Sequence, residues 1–94
     1  MEKLDLRECS DAYARVVAVL NLEWRVAVCG DGWQFLLQRR VQRNPEKAWQ
    51  SVKFFAGASH LRTRVREMAG EIEPEAARIL AALPERAAMM SLTI

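Results

Sequence analysis

Apolar residues recur along this chain with two different periods. Tyr13, Val16, Val17 and Leu20 fall at i, i+3, i+4 and i+7, the spacing of one helical stripe, and Ser10 stands where an N-cap would. This spacing predicts a first helix near residues 10–20. From Trp24 the period shortens: residues 24–29 and 33–40 are aromatic, β-branched and alternating in bulk, with Gly30-Asp31-Gly32 between them. Asp-Gly between two such runs predicts a hairpin with a type I′ turn, in which both central residues need φ > 0.

With Asp31 and Gly32 as the loop, cross-strand partners are Gly30 with Trp33, Val28 with Phe35 and Val26 with Leu37. Trp24, Val26, Val28, Trp33, Phe35 and Leu37 then share one face, the expected core, and Arg25, Ala27, Cys29, Gln34, Leu36, Gln38 and Arg40 share the other. Residues 41–46 contain Asn44-Pro45, a turn signal. A third strand follows at about residues 48–55, with Val52 and Phe54 inward and Trp49, Ser51 and Lys53 outward. Ser59 is placed to cap a helix carrying Leu61, Val65 and Met68 and ending at Gly70, and Pro74 suits the first turn of a last helix with Ala76, Ile79, Leu80 and Leu83. The tail, residues 85–94, has no clear period and is expected either to be loose or to place Met89, Met90 and Leu92 on a partner. The fold class this order implies is α+β: a helix, a three-stranded antiparallel meander and two helices, in two layers and one domain spanning residues 1–94.

Composition narrows the class of protein. Ninety-four residues, 51% hydrophobic and 28% charged, describe one small folded domain. The longest aliphatic run, residues 16–20, is too short to cross a bilayer, so no membrane partner is expected. The acidic N-terminus lacks the apolar core of a secretory signal, and two cysteines do not make a disulfide framework, so a cytoplasmic setting with thiols is expected. A net charge of +2 conceals polarity along the chain: residues 24–66 hold nine basic and two acidic side chains, and both flanking segments are net acidic.

Candidate catalytic chemistry is sparse. His60 is the sole histidine, and no spacing supplies it with an orienting partner. Cys29 beside the turn would need an adjacent cation to become a nucleophile and otherwise reads as an inert packing thiol, as does Cys9. Cys9, Cys29 and His60 lack zinc-site spacing. Gly30-Asp31-Gly32 has neither the Lys-Ser/Thr nor the following helix of a phosphate loop. Glu67, Glu71, Glu73, Glu75 and Glu85 read as solvated helix and turn positions. The expectation is therefore a protein that is not an enzyme and that uses no cofactor and no metal. The informative surface is the second sheet face: Arg25, Gln34, Gln38, Arg40, Trp49 and Lys53 would converge on it, with Arg62, Arg64 and Arg66 adding from the helix. Guanidinium groups neutralise phosphates, glutamine reads base edges and an exposed tryptophan stacks on bases; Arg and Trp are also the residues of protein–protein hot spots. Both readings stay open on the residues alone.

Residues 28–40 (Val-Cys-Gly-Asp-Gly-Trp-Gln-Phe-Leu-Leu-Gln-Arg-Arg), with Trp49 and Thr63-Arg64, resemble a small protein type of bacteriophages and integrated mobile elements, over about residues 24–83. The resemblance implies stoichiometric binding and blocking of a host protein or nucleoprotein complex, as anti-CRISPR proteins do. The helix, three strands, helix order is also similar to a double-stranded-RNA-binding domain, with that family's lysine cluster replaced by Ser59-His60-Leu61-Arg62. Three strands and a helix resemble the sheet-reading DNA-binding domains of ethylene-response factors and integrases. What the resemblances together imply is a non-catalytic binding protein, with a nucleic-acid-binding module as the alternative.

Overall fold

A computed structural model describes residues 5–90 of the chain. Four strands, β1 (Val16–Val19), β2 (Trp24–Val28), β3 (Phe35–Arg40) and β4 (Trp49–Phe55), form an antiparallel meander in sequence order, followed by helices α1 (Ala58–Met68) and α2 (Pro74–Ala82). The α+β class stands. The leading helix does not: the segment expected to be helical contributes a fourth strand. Its apolar positions fit a helical stripe, but Val16-Val17-Ala18-Val19 is rich in β-branched side chains, which favour a pleated surface, and β2 offers it an open edge. Ser10 accordingly caps no helix; its hydroxyl donates to Asp5 at 2.6 Å and accepts the Ala12 amide in a tight turn.

The β2–β3 register is the one expected, with Val26 opposite Leu37 and Val28 opposite Phe35. Trp24, Val26, Val28, Phe35 and Leu37 pack under the helices, joined by Ala18, Leu20, Leu61, Val65, Leu80 and Leu83. The turn differs. Cys29 and Gln34 close the hairpin around a four-residue loop, and of its residues only Gly32 has positive φ (81°). Asp31 thus keeps an ordinary backbone, and Trp33 belongs to the loop instead of a strand. It is 68% exposed and is not part of the core.

Both outer strands carry a bulge. In β1 the extra residue is Val17, which lets Val17 and Ala18 both reach the helix-side core while Val16 turns to the opposite face. In β4 it is Val52: Leu37 pairs with Lys53, but Gln38 pairs with Ser51. The bulge reverses the expected alternation beyond it. Phe55 takes the inward place, Phe54 is 57% exposed and Val52 37%, so neither is core. Lys53 moves to the helix side of the sheet, away from Trp49 and Ser51.

The helices clasp each other by charge. The Glu85 carboxylate, beyond α2, accepts the Ser59 amide and hydroxyl at the N-terminus of α1, so Ser59 is held by Glu85 and Gly57 is the capping residue. Hydrogen bonds from Ser59 hold the Glu85 carboxyl below its usual range. In return Arg62 of α1 donates to the Leu80 and Leu83 carbonyls (2.8 and 3.1 Å) at the C-terminus of α2. Each charge lies at the helix end whose dipole it complements. Past α2 the chain pairs Arg86 with Gly57 and buries Ala87 in a short 3-10 turn, Ala87–Met89. Met89 is exposed; Leu92 of the expected apolar tail lies outside the described residues. Among the described residues no helix is long and apolar enough to cross a membrane.

These placements predict opposite outcomes for two aromatic substitutions. Phe35→Ala, at a side chain with no exposure, should cost about 3–5 kcal/mol in urea denaturation, whereas Trp33→Ala should stay within about 0.5 kcal/mol.

Candidate interaction surface

Much of the second sheet face is covered. The segment before β1, residues 5–15, lies across it as a strap. Tyr13 packs on Ala27 and Leu36 and donates its hydroxyl to the Val28 carbonyl at 2.6 Å; burial pushes this phenol up to about 12. The Trp49 amide donates to the Cys9 carbonyl, and the Gly30 amide to the Glu8 carboxylate.

Beneath the strap sit three of the residues singled out in the sequence. Arg25 is 2% exposed, Gln38 fully buried and Trp49 6% exposed, which corrects the expected solvent-facing arrangement at all three. Arg25 donates to Gln38 Oε1 (2.6 Å) and to the carbonyls of Glu8 (3.0 Å) and Ser10 (2.8 Å). Gln38 in turn donates to the Glu8 carbonyl and to Ser51 Oγ. A cation held almost wholly out of water needs this many acceptors. Desolvation lowers the Arg25 pKa to about 10, and the group stays charged at neutral pH.

Arg40 stands at the rim, half-exposed, and donates to both carboxylate oxygens of Asp11 (2.9 and 3.2 Å). Trp49 Nε1 donates to the same carboxylate. Both guanidinium groups lie against the Trp49 ring, Arg25 at 4.4 Å and Arg40 at 5.4 Å from its centroid. The Arg40 and Trp49 hydrogen bonds hold the Asp11 carboxyl below the ordinary value of 3.8.

The strap stops short of the β1–β2 end of the sheet. There an open groove of about 490 Å³ is left, whose lining combines the aliphatic Val16, Val19 and Leu22 with Asp11, Arg25, Arg40, Trp49 and Tyr13. Val19 is 58% and Leu22 91% exposed. Leu22 sits at the tip of the β1–β2 turn, which Asn21 braces by accepting the Glu23 and Trp24 amides and donating to the Ala69 and Glu71 carbonyls. The groove is thus built on a fixed frame.

The remaining expected surface residues are dispersed. Gln34 is exposed beside the hairpin loop, Lys53 lies on the helix side, and Arg62 is spent on α2. Arg64 pairs with Glu67 at 3.3 Å, and Arg66 borders a small hollow between α1 and α2. His60 lines a separate open hollow with Phe55, Thr63, Arg64 and Glu67. Among the described residues no three His, Cys, Asp or Glu side chains gather as a metal site would require. Asp11, Val19 and Leu22 were not legible as site residues. Only Leu22, an aliphatic side chain inside the polar Asn21-Leu22-Glu23 turn, carried a signal. No known protein family, curated protein or solved structure matches the chain.

Two outcomes follow for the polar node. Gln38→Leu keeps the bulk but strips Arg25 of an acceptor, and should lower stability by about 1–3 kcal/mol in urea denaturation. Because the Asp11 carboxyl is depressed in the folded state, its contribution is present above 3.8 and is lost as the pH falls below that value. Asp11→Asn should therefore be less stable than the parent at neutral pH, with the two stabilities converging in acid.

Proposed function

We propose that this chain is a non-catalytic binding protein that occupies a site on a partner protein, using the groove between the β1–β2 turn and the Arg40–Trp49 edge of the sheet. The observation that carries the reading is the pairing, in one braced groove, of exposed aliphatic walls with a half-exposed arginine set in place by Asp11 and Trp49. Exposed side chains such as Val19 and Leu22 gain from being covered, at about 25 cal/mol per Å² of apolar surface, and an arginine already ordered by its neighbours loses little entropy on binding. Arginine is among the residue types on which interface energy concentrates.

The nucleic-acid alternative draws less from the same geometry. It needs Trp49 to stack while Arg25, Arg40, Lys53, Arg62, Arg64 and Arg66 contact phosphates; Trp49 and Arg25 are buried under the strap, Arg62 is bonded to α2 and Lys53 lies on the helix side. In the setting implied by the sequence resemblance, the cytoplasm of a host carrying a phage or mobile element, binding of this kind would block the host protein or complex engaged, in the manner of an anti-CRISPR inhibitor.

Affinity purification from host lysate tests the reading. The parent protein should return a stoichiometric partner, lost with Leu22→Asp and retained with Arg64→Gln, a surface change on α1. A partner equally retained by Leu22→Asp would remove the groove from the function. In a gel shift at low salt the parent should leave nucleic acid unshifted; a shift whose affinity falls steeply with salt would favour the nucleic-acid module instead.

A further inference from the structure

We propose that the groove recognises a short segment of the partner that presents an aliphatic side chain next to a carboxylate. This rests on the protein-binding reading above and specifies what that partner must carry.

The first argument is the charge lining the groove. Arg25 and Arg40 contribute two cations, and Asp11 contributes one carboxylate. Asp11 is committed to Arg40 and Trp49, while Arg25 is hydrogen-bonded to neutral acceptors alone: an amide oxygen and backbone carbonyls. The other acids near in sequence do not balance the sum. Glu8 turns its carboxylate to the Gly30 amide at 2.8 Å, and Glu23, beside Leu22, is not part of the lining. The lining side chains therefore sum to one net positive charge, close to apolar surface that weakens its screening.

Donor geometry is the second argument. A guanidinium has five N–H groups, and two of those on Arg40 are given to Asp11. The side chain is 35% exposed at the rim, so its other N–H groups are within reach of an incoming carboxylate. Val16, Val19 and Leu22 line the same groove as this arginine, which asks for an apolar side chain beside the acid.

The adjoining strand supplies a third. β1 has four residues and a bulge at Val17, the features that keep an edge from being extended by another strand. The partner is thus held by side chains entering the groove and not by strand addition.

Panning random linear dodecapeptides displayed on phage against the immobilised protein at low salt provides the test. Enriched sequences should place Leu, Ile, Val, Met or Phe beside Asp or Glu. A synthetic peptide of the enriched sequence, followed by fluorescence anisotropy, should lose at least about tenfold in affinity with Leu22→Asp and with Arg40→Gln, equivalent to about 1.4 kcal/mol each. Arg64→Gln should leave it unchanged. Raising the salt should weaken the peptide on the parent protein as well, a readout that needs no substitution and so does not depend on variant folding. Enriched peptides without acids, or with affinity indifferent to salt, but still lost with Leu22→Asp, would overturn the carboxylate inference and leave the binding reading standing. Enriched peptides indifferent to Leu22→Asp, or no enrichment at all, would overturn both.

Discussion

A guanidinium removed from water has to be solvated by the protein itself, and much of this fold follows from how Arg25 meets that demand. Its position in β2 points it away from the helices, onto a face that a two-layer domain would leave wet. The chain instead brings three carbonyl-bearing residues of the strap, Glu8, Ser10 and Asp11, over the guanidinium, and Gln38 completes the set from β3. The segment after the strap enters the sheet as β1, beside Arg25's strand. The same set of hydrogen bonds therefore ties together an added strand, a covered face and a second small core around Tyr13, Ala27 and Leu36. Breaking a buried charge network of this kind costs far more than its net worth, because the charge left behind stays buried.

Polar clasps at the other side of the sheet do comparable work at lower stakes. Glu85 and Arg62 satisfy opposite ends of α1 and α2, and Asn21 joins the β1–β2 turn to the α1–α2 connection. These contacts give α2, a nine-residue helix whose buried positions are Ala76 and Leu80, a fixed place against β1. They also hold the turn that carries Leu22. The turn at the groove is thus anchored to the α1–α2 connection, far from it in sequence.

The bulges connect architecture to binding. An antiparallel meander has two open edges, each a template for another strand, and both are interrupted in this sheet, at Val17 and at Val52. Lys53 next to the second bulge adds a charge to that edge. With edge pairing discouraged, recognition falls to side chains, and the groove is where exposed aliphatic surface and a positioned cation coincide. Trp33 and Met89 are further exposed apolar side chains, outside the groove lining.

The sequence by itself determined the elements whose signals are local. The alternation of residues 24–28 and 35–40 specified the β2–β3 register, since a one-residue slip would have put Arg25 among the helix-side core and Phe35 outside it. Leu61, Val65 and Met68, and Pro74 with Ala76 and Leu80, specified the two helices by period and by proline at the first turn. Tertiary structure decided everything that depends on contacts distant in sequence. Residues 16–19 satisfy a helical stripe and a strand propensity together, and the free edge of β2 chose between them. Val52 reads as an ordinary strand residue; only pairing with β3 makes it a bulge and sends Lys53 and Phe54 to faces opposite to those that alternation assigns. Arg25, Gln38 and Trp49 looked like a solvated platform because charged and polar side chains default to water. Alternation along a strand says which side a residue faces but not what lies over that side, and here it is covered by a strap, residues 5–15, from an earlier part of the chain.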